Sequence, residues 1–195
     1  MIEERSKVPS SAIVIGASVG AIDVLLRILP TLPASFPFAV LVVVHLPRNK
    51  ESLLPLIFSE RCKMAVKEAE DKELLQSGVI YFAPSDYHLL VNPDFTLSLS
   101  SDELVHFSRP SVDVLFESAA TAFQESLIGV ILTGANEDGA SGLAEVASAG
   151  GRTIVQSPST AEGQTMPLSA IAATPSALVL KPDEIASLLN HPLHS

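Results

Sequence analysis

The sequence predicts an α/β protein: a doubly wound, mostly parallel sheet with helices on both faces and a small antiparallel hairpin insertion. Two observations carry this expectation. Short β-branched apolar runs alternate along the chain with segments whose apolar residues recur at helical spacing, the pattern of parallel strands joined by right-handed helical crossovers. The composition agrees. Of 195 residues, 47% are hydrophobic but only 5% aromatic, an aliphatic content that suits strands buried on both faces. The length allows one domain with a sizeable core, expected over residues 12–190, between a disordered polar lead at 1–11 and a short tail at 191–195.

Taken in order, residues 12–15 form a β-branched run stopped by Gly16. A helix follows, because Ile22, Leu25, Leu26 and Leu29 share one face with Asp23 and Arg27 opposite. Pro30 and Pro33 end it. Residues 38–44 read as a second buried strand ending at His45, and 52–58 as a helix. The charge-rich stretch 60–76 reads as a solvated face or loop. Residues 79–82, 88–91 and 95–99 read as short strands separated by the turn signals Pro84-Ser85-Asp86 and Asn92-Pro93-Asp94, and together as the antiparallel insertion. Ser111 opens the clearest helix, with Val112, Leu115, Phe116, Ala119, Ala120 and Phe123 on one face. A buried strand is expected at 127–132, and a small-residue helix at 139–149 closed by Gly150-Gly151. Then come a strand at 153–155, a polar loop at 156–167 and a strand at 177–180. Pro182 starts a final helix with Asp183 and Glu184 in its first turn.

Composition also excludes function classes. The formal net charge is −10, from 12 basic and 22 acidic residues, which argues against nucleic acid as a partner. Mean hydropathy is +0.38, yet no apolar run approaches the ~20 residues of a membrane span, and no secretory signal is evident. The single cysteine, Cys62, cannot form an internal disulfide and fits a reducing cytoplasm. No His, Cys or carboxylate spacing suggests a metal site.

Ligands of open α/β sheets gather at the carboxyl ends of strands, and three such ends carry suggestive residues. Ile15-Gly16-Ala17-Ser18-Val19-Gly20-Ala21 is a strand running through Gly-x-Ser-x-Gly into a helix. Such a turn exposes a serine hydroxyl beside helix N–H groups. A helix N-cap serine and a dinucleotide loop are the competing readings; the latter wants glycine at position 18 and an acidic residue at the end of the next strand. That strand ends instead at His45, the best placed of five histidines to act as a general base; His106, in a loop, is the reserve. The third end is Thr133-Gly134-Ala135-Asn136-Glu137-Asp138-Gly139. Asp138 stands where an N-cap belongs, and its carboxylate could equally accept the Nδ1 hydrogen of His45. Backbone N–H groups of this loop could hold an oxyanion. The order Ser, His, Asp differs from that of α/β-hydrolases.

At these residues the chain resembles the catalytic domain of the chemotaxis protein-glutamate methylesterases, the CheB family. The resemblance runs over residues 12–189. It rests on Ile15-Gly-Ala-Ser18, Val44-His45-Leu-Pro47, Val66-Lys-Glu-Ala-Glu-Asp71, Ala83-Pro-Ser-Asp-Tyr-His88, Arg109-Pro-Ser-Val-Asp-Val-Leu-Phe116, Val130-Ile-Leu-Thr-Gly134 with Asp138-Gly139-Ala140, and Met166-Pro167. It implies a Ser18-His45-Asp138 triad that hydrolyses glutamyl methyl esters on methylated chemoreceptor-type proteins, releasing methanol, and deamidation of receptor glutamine. It implies an oxyanion-hole donor at the Ala135 N–H and no cofactor. Arg109 and the 156–167 loop, with Met166, would shape the substrate groove. Three positions depart from the family pattern: Val19 replaces a threonine, Ala135 a methionine and Ser108 a histidine. A phosphorylatable receiver domain, usual in the family, does not precede residue 12; in a complete chain activity is expected to be constitutive or governed by another protein, and the alternative expectation is a fragment of a longer protein. The rival expectation is an interaction module of the same fold whose chemistry has weakened.

Overall fold

The structure, a computed structural model, describes residues 8–45 and 52–191. Residues 1–7 of the expected lead, Leu46 and Pro47 of the His45 motif, and residues 192–195 of the tail lie outside the described residues. Of the rest of the lead, Pro9 is already buried.

The elements run β1 (Ala12–Ala17), α1 (Ala21–Ile28), β2 (Ala39–Val44), α2 (Leu54–Ser59), β3 (Ala65–Glu68), β4 (Val79–Phe82), β5 (His88–Val91), β6 (Leu97–Ser100), α3 (Val112–Phe123), β7 (Leu127–Ile131), α4 (Ala140–Ser148), β8 (Arg152–Gln156), α5 (Thr165–Ala173), β9 (Leu178–Leu180) and α6 (Pro182–Asn190). Seven strands form one sheet in the order β3-β4-β2-β1-β7-β8-β9, every neighbouring pair parallel. β5 and β6 form a separate antiparallel pair. β1 is central. From it the chain winds outward to β2 on one side and later returns to β7 on the other, so the direction of winding reverses between β1 and β7. That reversal opens a crevice at the carboxyl ends of the two strands.

All six residues of β1 and of β2 are buried, as expected of central strands covered on both faces. Alternation sorts their side chains. Ala12 and Val14 point into the core beneath α3, α4, α5 and the β5–β6 pair. Ile13, Ile15 and Ala17 point into the core beneath α1, α2 and α6.

Several expectations need correction. β4 does not belong to the antiparallel insertion: it pairs in parallel with β2 and β3 within the main sheet. The expected solvated stretch 60–76 contains β3, an edge strand whose Lys67 and Glu68 hide its strand character. Charges are common on such edges because they discourage pairing with another molecule. β1 continues through Gly16 to Ala17. The buried face of α1 is Ala21, Val24, Leu25 and Ile28, while Ile22 is exposed. Alanine at position 21 extends the apolar stripe in a direction that counting only large residues does not show. The polar loop expected at 156–167 gives way at Thr165 to α5, which packs by Met166, Pro167 and Ala170.

Candidate active site

Ser18 directly follows β1 and His45 directly follows β2. The two strands are paired in register up to Ala17 and Val44, and the His45 N–H donates to the Ala17 carbonyl at 3.1 Å. The serine and the histidine are therefore lateral neighbours one residue past the ladder. On the other flank the Ser18 N–H donates to the Thr133 carbonyl at 2.9 Å, which ties the serine turn to the loop after β7. The turn then closes through Gly20, whose φ of 77° lies where a side chain is strained, and α1 begins at Ala21. Thr133 Oγ1 donates to the Val19 carbonyl at 2.8 Å and accepts the Gly163 N–H at 2.8 Å. One hydroxyl thus fastens the serine turn to the segment preceding α5.

Asp138 is fully buried. Its Oδ2 lies 2.7 Å from His45 Nε2 and accepts the Val112 N–H at 2.7 Å. Its Oδ1 accepts the Ser111 hydroxyl at 2.8 Å and the Asp113 N–H at 3.0 Å. Burial alone would raise this carboxyl. The hydrogen bonds from His45, Val112 and Asp113 outweigh burial and hold it below the ordinary carboxylate range, so it remains an ion. Two expectations change here. The ring nitrogen facing Asp138 is Nε2, not Nδ1. Nor does Asp138 cap its own helix: it caps α3, while the N-cap of α4 is Gly139, with a φ of 96°. Asp113 returns the favour, since its Oδ1 accepts the Gly139 N–H at 3.0 Å and the Gly142 N–H at 2.6 Å. Each helix is capped by a carboxylate from beside the other, and each N-terminal dipole end faces an anion.

The remaining candidates fall in different places. The Ala135 N–H hydrogen-bonds to nothing among the described residues, and Ala135 itself is exposed. His106, the reserve base, is engaged by two carboxylates: its Nε2 lies 3.4 Å from Asp113 and its Nδ1 3.5 Å from Glu137. His88 is buried, accepting the Ser111 N–H at Nδ1 and donating from Nε2 to the Glu103 carbonyl. Arg109 donates from Nη1 to the carbonyls of Ser101 and Asp102 at 2.7 and 2.8 Å. It also borders an open cavity of about 690 Å³ with Glu103, Leu104, His106 and Phe107. Met166 is 1% exposed and packs on Gly134, leaving no room for a Cβ there. It supports the loop from beneath rather than facing a substrate. The sequence does not point to Asn136, whose Nδ2 lies 3.2 Å from His45 Nδ1, nor to a part in the site for Asp113, Ser111 and Thr133. The only signal for Asn136 was its place two residues before Asp138 in the Gly-rich loop. Among the described residues no helix is long and apolar enough to cross a membrane, and no three His, Cys, Asp or Glu side chains gather as metal ligands.

A serine beside a histidine that contacts a buried carboxylate, at the switch point of a parallel sheet, can support acyl transfer. Comparison with known proteins points the same way. The family model described as CheB methylesterase matches residues 13–189. The chain belongs to the CheB methylesterase family. Among its relatives, a putative protein-glutamate methylesterase/protein-glutamine glutaminase of Leptospira interrogans serovar copenhageni is 49% identical, over 91% of this chain and 92% of the relative. A protein-glutamate methylesterase/protein-glutamine glutaminase of Symbiobacterium thermophilum is 39% identical, over 83% of this chain but 44% of its own longer sequence. The crystal structure of the Thermotoga maritima CheB methylesterase catalytic domain superposes with a TM-score of 0.89 at 32% identity, covering 94% of this chain and 98% of that one. Of the three departures from the CheB pattern, Val19 and Ala135 are exposed beside the serine turn and the Asp138 loop, while Ser108 Oγ lies 3.5 Å from Asn136 Nδ2.

Proposed function

We propose that this chain is a cytoplasmic protein-glutamate methylesterase that also deamidates glutamine, acting on methylated chemoreceptor-type proteins with Ser18 as nucleophile, His45 as base and Asp138 as the orienting acid. One observation carries the proposal: the 2.7 Å contact of His45 Nε2 with the buried, ionised Asp138, on the strand end next to Ser18. A carboxylate can only accept, so Nε2 bears the hydrogen and Nδ1 is the basic nitrogen of the neutral ring. Ser18 Oγ adds to the ester carbonyl as its proton passes to Nδ1. The Ala135 N–H, with N–H groups of the serine turn, steadies the oxyanion. Nδ1 then returns the proton to the departing methoxide, methanol leaves, and water repeats the sequence on the acyl-serine to release glutamate. With glutamine the leaving group is ammonia. Asp138 stabilises the imidazolium formed in each half.

The test is methanol release from methylated receptor. Ser18→Ala should lower the rate by at least about 10³-fold; release that persists in this variant would end the proposal.

A further inference from the structure

We propose that Asn136 is a positioning residue and a brake: its side-chain amide grips the basic nitrogen of His45 in the resting enzyme and has to release it before Ser18 can be activated. This rests on the triad reading above.

The geometry leaves the amide one orientation. Asn136 Oδ1 accepts the Asp138 N–H at 3.3 Å, which directs Nδ2 toward His45 Nδ1 at 3.2 Å. Exchanging the amide oxygen and nitrogen would set an N–H against the Asp138 N–H and an oxygen against the Nδ1 lone pair, losing both bonds. Since His45 Nε2 is held by Asp138 at 2.7 Å, the ring is clamped at both nitrogens, and the clamp at Nδ1 consumes the lone pair that would receive the Ser18 proton. Once that proton arrives, Nδ1 carries its own hydrogen and the amide N–H faces another donor. The second Nδ2 hydrogen already faces Ser108 Oγ at 3.5 Å, and a small turn of the amide toward that hydroxyl draws Nδ2 off Nδ1. Asn136 is half-buried, which leaves room for that turn. The loop from Thr133 to Asp138 therefore supplies three things: the orienting acid, an N–H for the oxyanion, and a hydrogen bond that competes with Ser18 for the base.

Losing one neutral hydrogen bond to the base corresponds to about a 3- to 10-fold change in rate. Asn136→Ala and Asn136→Gly should therefore label at Ser18 with a fluorophosphonate about 3- to 10-fold faster than the native chain. They should raise kcat for methanol release by a similar factor with KM unchanged. A residue that merely supported the fold would slow both reactions when removed. In the native chain, ¹⁵N NMR of the histidines under mildly alkaline conditions should show His45 with hydrogen on Nε2 and a hydrogen-bonded, unprotonated Nδ1. Equal or slower labelling by folded variants, or hydrogen on Nδ1 in the native chain, would overturn the inference. The native spectrum decides should neither variant fold. These results are separate from the fate of the triad reading, which stands or falls with Ser18→Ala.

Discussion

His45 has a carboxylate on one ring nitrogen and an amide on the other, and that asymmetry assigns its hydrogen. A second pair of charged groups lies behind it. Asp113 is buried on the far side of the α3–α4 junction, and burial pushes its carboxyl from the ordinary 3.8 up to about 6. The Gly142 N–H and His106 pull the other way, while Asp138 and Glu117 add to the rise. The native state therefore holds this proton more tightly than the unfolded chain does. The associated stability is fully present below about pH 4, and it is lost as the pH climbs through about 6. Asp113→Asn removes the titration but keeps an oxygen to accept the Gly139 and Gly142 N–H groups. Urea unfolding from pH 4 to 7 should show the native chain losing on the order of 2 kcal/mol relative to this variant. Parallel stability curves would refute it. None of this was legible in the sequence, where Asp113 looked like an ordinary acidic residue in the first turn of a helix. Its burial depends on a helix that begins 27 residues later.

α3 and α4 show how elements are tied together by their ends. The helical stripe from Val112 to Phe123 could be read directly, and every member of it is buried. What caps the helix could not be read. Ser111 occupies the N-cap position without bonding its own helix; its hydroxyl goes to Asp138 instead. Replacing Asp138 with alanine would strand the Ser111 hydroxyl, the Val112 and Asp113 N–H groups and His45 Nε2 in a buried space. The expected cost is about 2–4 kcal/mol, more than for an ordinary exposed cap, together with loss of esterase activity. Denaturant midpoints check the first part, and a variant as stable as the native chain would show that the carboxylate does not hold α3. α5 was missed for a related reason: its segment, Thr165–Ala173, is apolar on most sides and lacks a helical stripe. Its helical state is set by docking Met166 and Ala170 into the core more than by any local pattern.

Across the whole molecule, the sheet divides two apolar cores, and the site lies above the sheet where the winding reverses. Phe116 links site and core. It is fully buried, and its side chain comes within 2.6 Å of where a Cβ on Gly142 would stand and 3.4 Å of one on Gly129, so α3, α4 and β7 close around it. Phe116→Ala should cost about 3–5 kcal/mol by urea unfolding. A cost below about 1 kcal/mol would mean that this junction collapses without penalty. The sequence by itself determined the α/β class, most of the strands, the helix from Val112, and the three strand-end positions Ser18, His45 and Asp138, because periodicity and turn residues act over a few positions. Only the tertiary structure decided that β4 joins the parallel sheet, that β3 exists, that Asp138 meets Nε2 rather than Nδ1, and that Asn136 takes the other nitrogen. Those outcomes depend on hydrogen bonds between groups tens of residues apart, and such partners are chosen by how the elements pack, not by their neighbours along the chain.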